Sequence, residues 1–211
     1  MEMYLRTLEH HEDSRIKERK RMQNVKRPDS VSRNRKTLRD QEYELSSPDA
    51  LVSEVPTPAT GKLILTPRPS TLTIPMDEYV QYLDSIGVEH IIVLQEASVF
   101  SIALVEDYEN AGFDVTHFPI EDYSVPEYLH SFSNLLEVMS NSLFSGRKVA
   151  MHCHSGRGRS GLVAACFLVE NGLEADEAIE QVRDARPGAI ETRPQERFIF
   201  EWAEKWESFR G

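Results

Sequence analysis

Val149-Ala-Met-His-Cys-His-Ser-Gly-Arg-Gly-Arg-Ser-Gly161 is the stretch that decides how the rest of the chain is read. Lys148–Met151 is a short apolar run with strand character, and Arg159–Glu170 continues with an apolar face of Leu162, Val163, Ala165, Cys166 and Leu168, which predicts a helix. Between them lies a turn carrying Gly156 and Gly158, which lets the backbone curl without Cβ clashes. A strand, a glycine turn and a helix in this order stack backbone N–H groups at a helix mouth, where they favour a bound anion. Arg159 offers a planar fork of donors matched to a phosphate. Cys153 opens the turn, where the same positive surroundings favour a thiolate over a thiol. A thiolate held beside a bound phosphate is a nucleophile aimed at phosphorus.

Working outward, Gly61 onward alternates strands with helices. Lys62–Thr66, His90–Leu94, Asp114–Ile120 and Lys148–Met151 read as strands. Met76–Ile86, Val99–Asn110, Glu127–Ser145, Arg159–Glu170, Glu174–Ala185 and Gln195–Ser208 read as helices. Such alternation implies crossover connections, hence an α/β fold with a mainly parallel sheet of four to five strands flanked by helices. The expected division is a charged tail over 1–58, disordered or loosely helical, and a domain over 59–211. Within the tail, Arg15 to Arg39 is a basic cluster and 40–58 a Pro/Ser/acidic linker. A segment with so little to bury does not offset its ordering entropy. The basic cluster reads either as a solvated tail or as a nuclear-import or docking segment.

Composition narrows the classes. The chain has 211 residues, 40% of them hydrophobic and 28% charged, with a net charge of −11. Residues 1–60 hold 12 basic and 11 acidic side chains, which leaves 12 basic and 24 acidic in the remainder. An acidic body has no general attraction for nucleic acid or anionic membrane, so an anionic substrate must be held by local cations. Two cysteines do not make a disulfide scaffold, and a reducing compartment is expected. No apolar run has the length of a signal peptide or of a transmembrane span. The expected location is cytoplasmic, or nuclear if the basic tail is an import signal.

The Cys153-(five residues)-Arg159 loop, preceded by His152 and followed by Ser160, resembles the signature of the protein tyrosine phosphatase superfamily. From Gly61 to the end the chain is most similar to compact atypical dual-specificity phosphatases of the kinase-associated phosphatase type. The resemblance implies phosphomonoester hydrolysis through a phosphocysteine at Cys153, without metal or organic cofactor. It implies that His154, Ser155, Gly156, Arg157, Gly158 and Arg159 form the phosphate loop, that His152 supports the thiolate, and that the Ser160 hydroxyl assists its departure.

A leaving oxygen needs a proton, and Phe118-Pro-Ile-Glu-Asp-Tyr-Ser-Val-Pro126 leaves the third strand on the same sheet edge. Periodicity does not choose between Glu121 and Asp122; the family's Pro-Ile-x-Asp pattern implies Asp122. Ala185-Arg-Pro-Gly-Ala-Ile-Glu-Thr-Arg-Pro-Gln-Glu196 is similar to the segment that brings a glutamine over such sites. Gln195 then either orients the hydrolytic water or caps its helix, while Arg186 fixes the turn. Arg68 is expected near the mouth of the site, and Cys166 is a buried small hydrophobe or a redox partner of Cys153.

The expected substrate is a phosphorylated protein, carrying phosphotyrosine and, with a shallow pocket, phosphoserine or phosphothreonine. The alternatives are an inositol-phosphate or phosphoinositide phosphatase, for which His154 and Arg157 supply extra positive charge, and a non-catalytic phospho-binding module with the tail as its docking element.

Overall fold

The computed structural model describes residues 52–69 and 75–210; the tail reading for 1–51 lies outside the described residues. Five strands, β1 (Ser53–Val55), β2 (Lys62–Leu65), β3 (His90–Val93), β4 (Asp114–His117) and β5 (Lys148–His152), form one sheet in the order β1-β2-β5-β3-β4. β2, β5, β3 and β4 are parallel and β1 runs antiparallel at the edge. The helices among the described residues are α1 (Met76–Ser85), α2 (Val99–Asn110), α3 (Leu129–Phe144), α4 (Gly158–Glu170), α5 (Ala175–Ala185) and α6 (Arg193–Arg210).

The strand alternation assigns each side chain to a face. Leu63, Leu65, Ile92, Val149 and Met151 join the core built with α3, α4, α5 and α6. Ile64, Ile91, Val93 and Ala150 join a second core with Tyr79 and Leu83 of α1 and Leu104 and Tyr108 of α2. A parallel sheet covered on both faces needs such continuous apolar strands, because neither face meets water. Leu162 to Leu168 of α4 are fully buried, so α4 is the helix at the centre of the larger layer.

The reading of 40–58 as linker misses β1, so paired structure begins before residue 59. Ser53↔Leu65, Glu54↔Ile64 and Val55↔Leu63 set its register. Three residues with a single strongly apolar member carry no period of their own; the pairing comes from β2. The expected strand Asp114–Ile120 is shorter, ending at His117, because the chain turns there into the loop that carries Asp122.

Candidate active site

All four parallel strands end on the same edge, and the loops that leave β2, β3, β4 and β5 meet there. Register brings Val93 beside His152, and Leu94 N–H donates to the His152 carbonyl at 2.9 Å. Thr66 and Arg68 run along the β5 exit, with Arg68 N–H donating to the His154 carbonyl at 3.1 Å. Gly156 has φ of +66°, and any Cβ there would land on the Thr66 carbonyl, so both conformation and space require glycine. The Cys153–Gly158 turn is thus clamped between β2 and the start of α4.

Cys153 is buried at 2% exposure and Arg159 equally so. Arg159 Nη1 donates to Glu96 Oε2 at 2.5 Å and to the Ile120 carbonyl at 2.8 Å, while Nη2 lies 3.2 Å from Asp122 Oδ1. Burial works against the Arg159 charge, but Cys153, Glu96 and Asp122 outweigh it and hold the guanidinium more firmly protonated than usual. For Glu96 burial is likewise opposed, by a backbone hydrogen bond, Arg159 and Arg68, and its carboxyl sits below the usual range. The structure therefore gathers Cys153, Arg159 and Asp122, while Glu121 is exposed beside them. Tyr123 follows Asp122 with φ of +59°, a rare conformation for an aromatic residue, and its N–H donates to Asp122 Oδ1 at 3.1 Å.

His152 is fully buried against Tyr108, with ring centroids 5.6 Å apart. Tyr108 O–H donates to Nε2 at 3.1 Å, and Nδ1 donates to the Cys153 carbonyl at 3.3 Å. Burial pushes its pKa down to about 4, so the ring is neutral near pH 7. Its link to Cys153 runs through the backbone rather than through a positive charge. The fully buried Ser160 hydroxyl has no hydrogen-bond partner among the described residues and sits in the first turn of α4.

The rest of the phosphate loop faces in different directions. His154 is exposed, whereas the Ser155 carbonyl accepts from Arg186 Nη2 at 2.8 Å. Arg186 also donates to Ser53 Oγ at 3.1 Å, so beyond fixing the turn after α5 it ties β1 to the phosphate loop. Burial lowers the Arg186 pKa to about 10. Arg157 lies along Gly188, and Arg68 shares the field of Glu96, Arg159, Asp122 and Cys153.

Gln195 closes the back of the site. Its Oε1 accepts from Thr192 N–H at 3.2 Å while Thr192 Oγ1 accepts from Gln195 N–H at 3.3 Å, a capping box that starts α6 at Arg193. Its Nε2 donates to the Ser124 carbonyl at 3.2 Å, tying α6 to the acid loop. Cys166 is fully buried on α4, and burial raises its thiol pKa well above the ordinary range.

Glu96, which pairs with Arg159, and Glu191, whose Oε2 stands where a Gly158 Cβ would lie, are site residues that the order of residues does not single out. Glu96 leaves β3 on the edge shared with Cys153, which is the signal that marks it. Glu191 carries no such mark, because the loop that delivers it has no period. A surface groove between β1 and α5, lined by Glu54, Glu177, Glu180 and Asp184, carries four carboxylates and is unsuited to a phosphate. No helix of the described residues is long and apolar enough to cross a membrane.

The family described as polymorphic toxin system, DSP-PTPase phosphatase, matches residues 67–173, half of the chain. Protein tyrosine phosphatase domain-containing protein 1 of Danio rerio is 34% identical over 158 residues, covering 69% of this chain and 22% of that protein. Cyclin-dependent kinase inhibitor 3 of Homo sapiens is 34% identical over 130 residues, covering 58% of this chain and 61% of that one. The chain thus spans less than two thirds of the length of these curated relatives. The crystal structure of kinase associated phosphatase, with its catalytic-site cysteine replaced by serine, superimposes with a TM-score of 0.67 at 26% identity, covering 74% of this chain and 96% of that one.

Proposed function

Because the chain belongs to the DSP-PTPase phosphatase family, we propose that it is a cysteine-dependent phosphomonoesterase acting on phosphorylated proteins. The observation that carries this reading is the meeting of Cys153, Arg159 and Asp122 on one sheet edge, with Asp122 Oδ1 3.2 Å from Arg159 Nη2. A module that only binds phosphate has no use for a carboxyl in that place. The catalytic-site cysteine of kinase associated phosphatase supports the same role for Cys153.

In the first half-reaction the Cys153 thiolate attacks phosphorus. Arg159 and the loop amides bind the equatorial oxygens, and Asp122, displaced from Arg159, takes up the proton that the monoanionic ester brings and passes it to the leaving oxygen. The phosphate supplants Asp122 on Nη2, so substrate entry and delivery of the acid are one exchange. In the second half-reaction water attacks the phosphocysteine, Asp122 takes a proton, and the Ser160 hydroxyl donates to the departing sulfur. His152 stays neutral and holds the Cys153 carbonyl. Tyr123, half exposed beside Asp122, offers a ring face suited to an aromatic leaving group.

Arg186 is directed to the Ser155 carbonyl and Arg157 shares the field of Glu191, which favours a phosphoprotein over a polyphosphorylated ring. The test is phosphate release by wild type and Cys153→Ser from phosphotyrosine peptides, phosphothreonine peptides and soluble inositol polyphosphates. Cys153-dependent release from peptides is expected. Release from inositol phosphates alone would replace the substrate class and leave the chemistry in place.

A further inference from the structure

We propose that Ser53, on the edge strand β1, is a positioning residue for the phosphate loop, acting through Arg186 on the Ser155–Gly156 peptide; the inference rests on the proposed function and adds a group from outside the signature stretch.

β1 runs antiparallel to β2, and the register Ser53↔Leu65 places its first residue at the sheet edge where the phosphate loop lies. The Ser53 side chain meets Arg186, which follows the last turn of α5. Arg186 Nη1 donates to Ser53 Oγ at 3.1 Å, and Nη2 donates to the Ser155 carbonyl at 2.8 Å. A guanidinium is a rigid planar fork, so fixing one nitrogen fixes the direction in which the other donates. Burial and the neighbouring charge of Arg157 work against the Arg186 cation, whereas Cys153 favours it. A cation taken partly out of water needs acceptors that hold still, and here they come from two different elements.

The Ser155 carbonyl is where this tie reaches the chemistry. The Ser155–Gly156 peptide is trans and planar, so drawing its carbonyl toward Arg186 turns the Gly156 N–H the opposite way, into the loop whose amides bind phosphoryl oxygens. Gly156 has φ of +66°, and a glycine changes the sign of φ at little cost. Rotation of this peptide would swing a carbonyl oxygen, rather than an N–H, toward the phosphate. Arg186 opposes that rotation, and Ser53 holds Arg186 in line to do so. β1 has two further ties, Lys62 Nζ to Glu54 Oε2 at 2.8 Å and Gln181 Nε2 to the Pro56 carbonyl at 2.7 Å, and neither involves the phosphate loop. Those contacts fasten the strand; Ser53 transmits its position.

A test must therefore separate transmission from fastening. Ser53→Ala, Ser53→Thr, Arg186→Ala, the double variant Ser53→Ala/Arg186→Ala and Gln181→Ala are made in the full chain. Each is compared with wild type on para-nitrophenyl phosphate, with inorganic phosphate as a competitive inhibitor and Tm recorded alongside. Ser53→Ala should lower kcat/KM about five- to tenfold and weaken phosphate inhibition by the same factor, the scale of one buried donor left unpaired. Ser53→Thr, which keeps the hydroxyl, should restore both. Arg186→Ala should lose about 100-fold in kcat/KM through a displaced loop. Adding Ser53→Ala to it should cost nothing more, because the serine has no route to the loop without the arginine. Gln181→Ala should leave both constants near wild type. Wild-type constants in Ser53→Ala would overturn the proposal. Equal losses in Ser53→Ala and Gln181→Ala that follow Tm would also overturn it, since β1 would then contribute stability alone. Additive losses in the double variant would do the same. Turnover by Cys153→Ser in this assay would instead sink the proposed function, and the Ser53–Arg186 coupling would still be decided by phosphate binding.

Discussion

Arg159 and Arg147 stand at opposite ends of the same sheet, and each faces two carboxylates. Arg147 pairs with Asp114 at 2.5 Å and Glu89 at 3.6 Å; Arg159 pairs with Glu96 at 2.5 Å and Asp122 at 3.2 Å. The geometry is nearly the same, and the burial is not. The Arg147 side chain is 29% exposed, whereas Arg159 is 2% exposed beneath carboxylates that reach in from solvent-facing loops. An exposed arginine between two acids is a surface tie of small net value, because water competes for every partner. A buried arginine facing a thiolate and an exchangeable carboxylate is a poised anion site, since removing one acid requires another anion in its place. Similar ion pairs thus have different meanings at the two ends, and desolvation decides which.

The sharpest way to break this contrast is to remove each arginine. Arg159→Ala should lower kcat/KM on an aryl phosphate about a thousandfold or more, the scale of a lost arginine on a transferring phosphoryl group. Arg147→Ala should leave it near wild type. Next, Asp122→Asn should slow turnover of an unactivated phosphate ester about 100-fold, with less effect on an activated leaving group. Glu121→Gln should retain near-wild-type rates on both; the opposite pattern would move the acid one residue upstream. Glu96→Gln should cost about tenfold in kcat/KM through a misplaced guanidinium, read from steady-state kinetics with inorganic phosphate as a competitive probe.

Smaller effects belong to stability. His152, depressed to about 4 by burial, is neutral in the native state, while the unfolded chain takes up a proton below an ordinary value near 6.5. Stability is therefore full above about pH 6.5 and declines as pH falls toward 4. His90, also lowered by burial, adds to the same slope. Urea midpoints measured between pH 7.5 and 4.5 should fall in that window. A flat profile would contradict the buried neutral imidazoles. Last, Arg147→Ala should cost at most about 1 kcal/mol in the same assay.

The two ends also differ in how much of them could be read from residues alone. The Cys153–Gly161 stretch carried its chemistry in its own order, and the continuous apolar runs of β2, β3 and β5 announced a sheet covered on both faces. Asp122 needed the family pattern, because a loop has no period and two adjacent carboxyls look alike until one meets Arg159. Gln195 could be read two ways, and its capping box with Thr192 depends on α6 starting at Arg193, two residues earlier than periodicity suggested. β1 drew its register from β2, and Glu191 drew its direction from Ile190, whose φ of +58° is left-handed. Both are tertiary effects that no local window contains.

The most direct test of covalent catalysis at Cys153 is to acid-quench the enzyme during turnover of a phosphotyrosine peptide and locate the trapped phosphate by mass spectrometry. Phosphate is expected on the peptide carrying Cys153 in wild type and none in Cys153→Ala. Phosphate release by Cys153→Ala at the wild-type rate, or a trapped phosphate on any other residue, would contradict it.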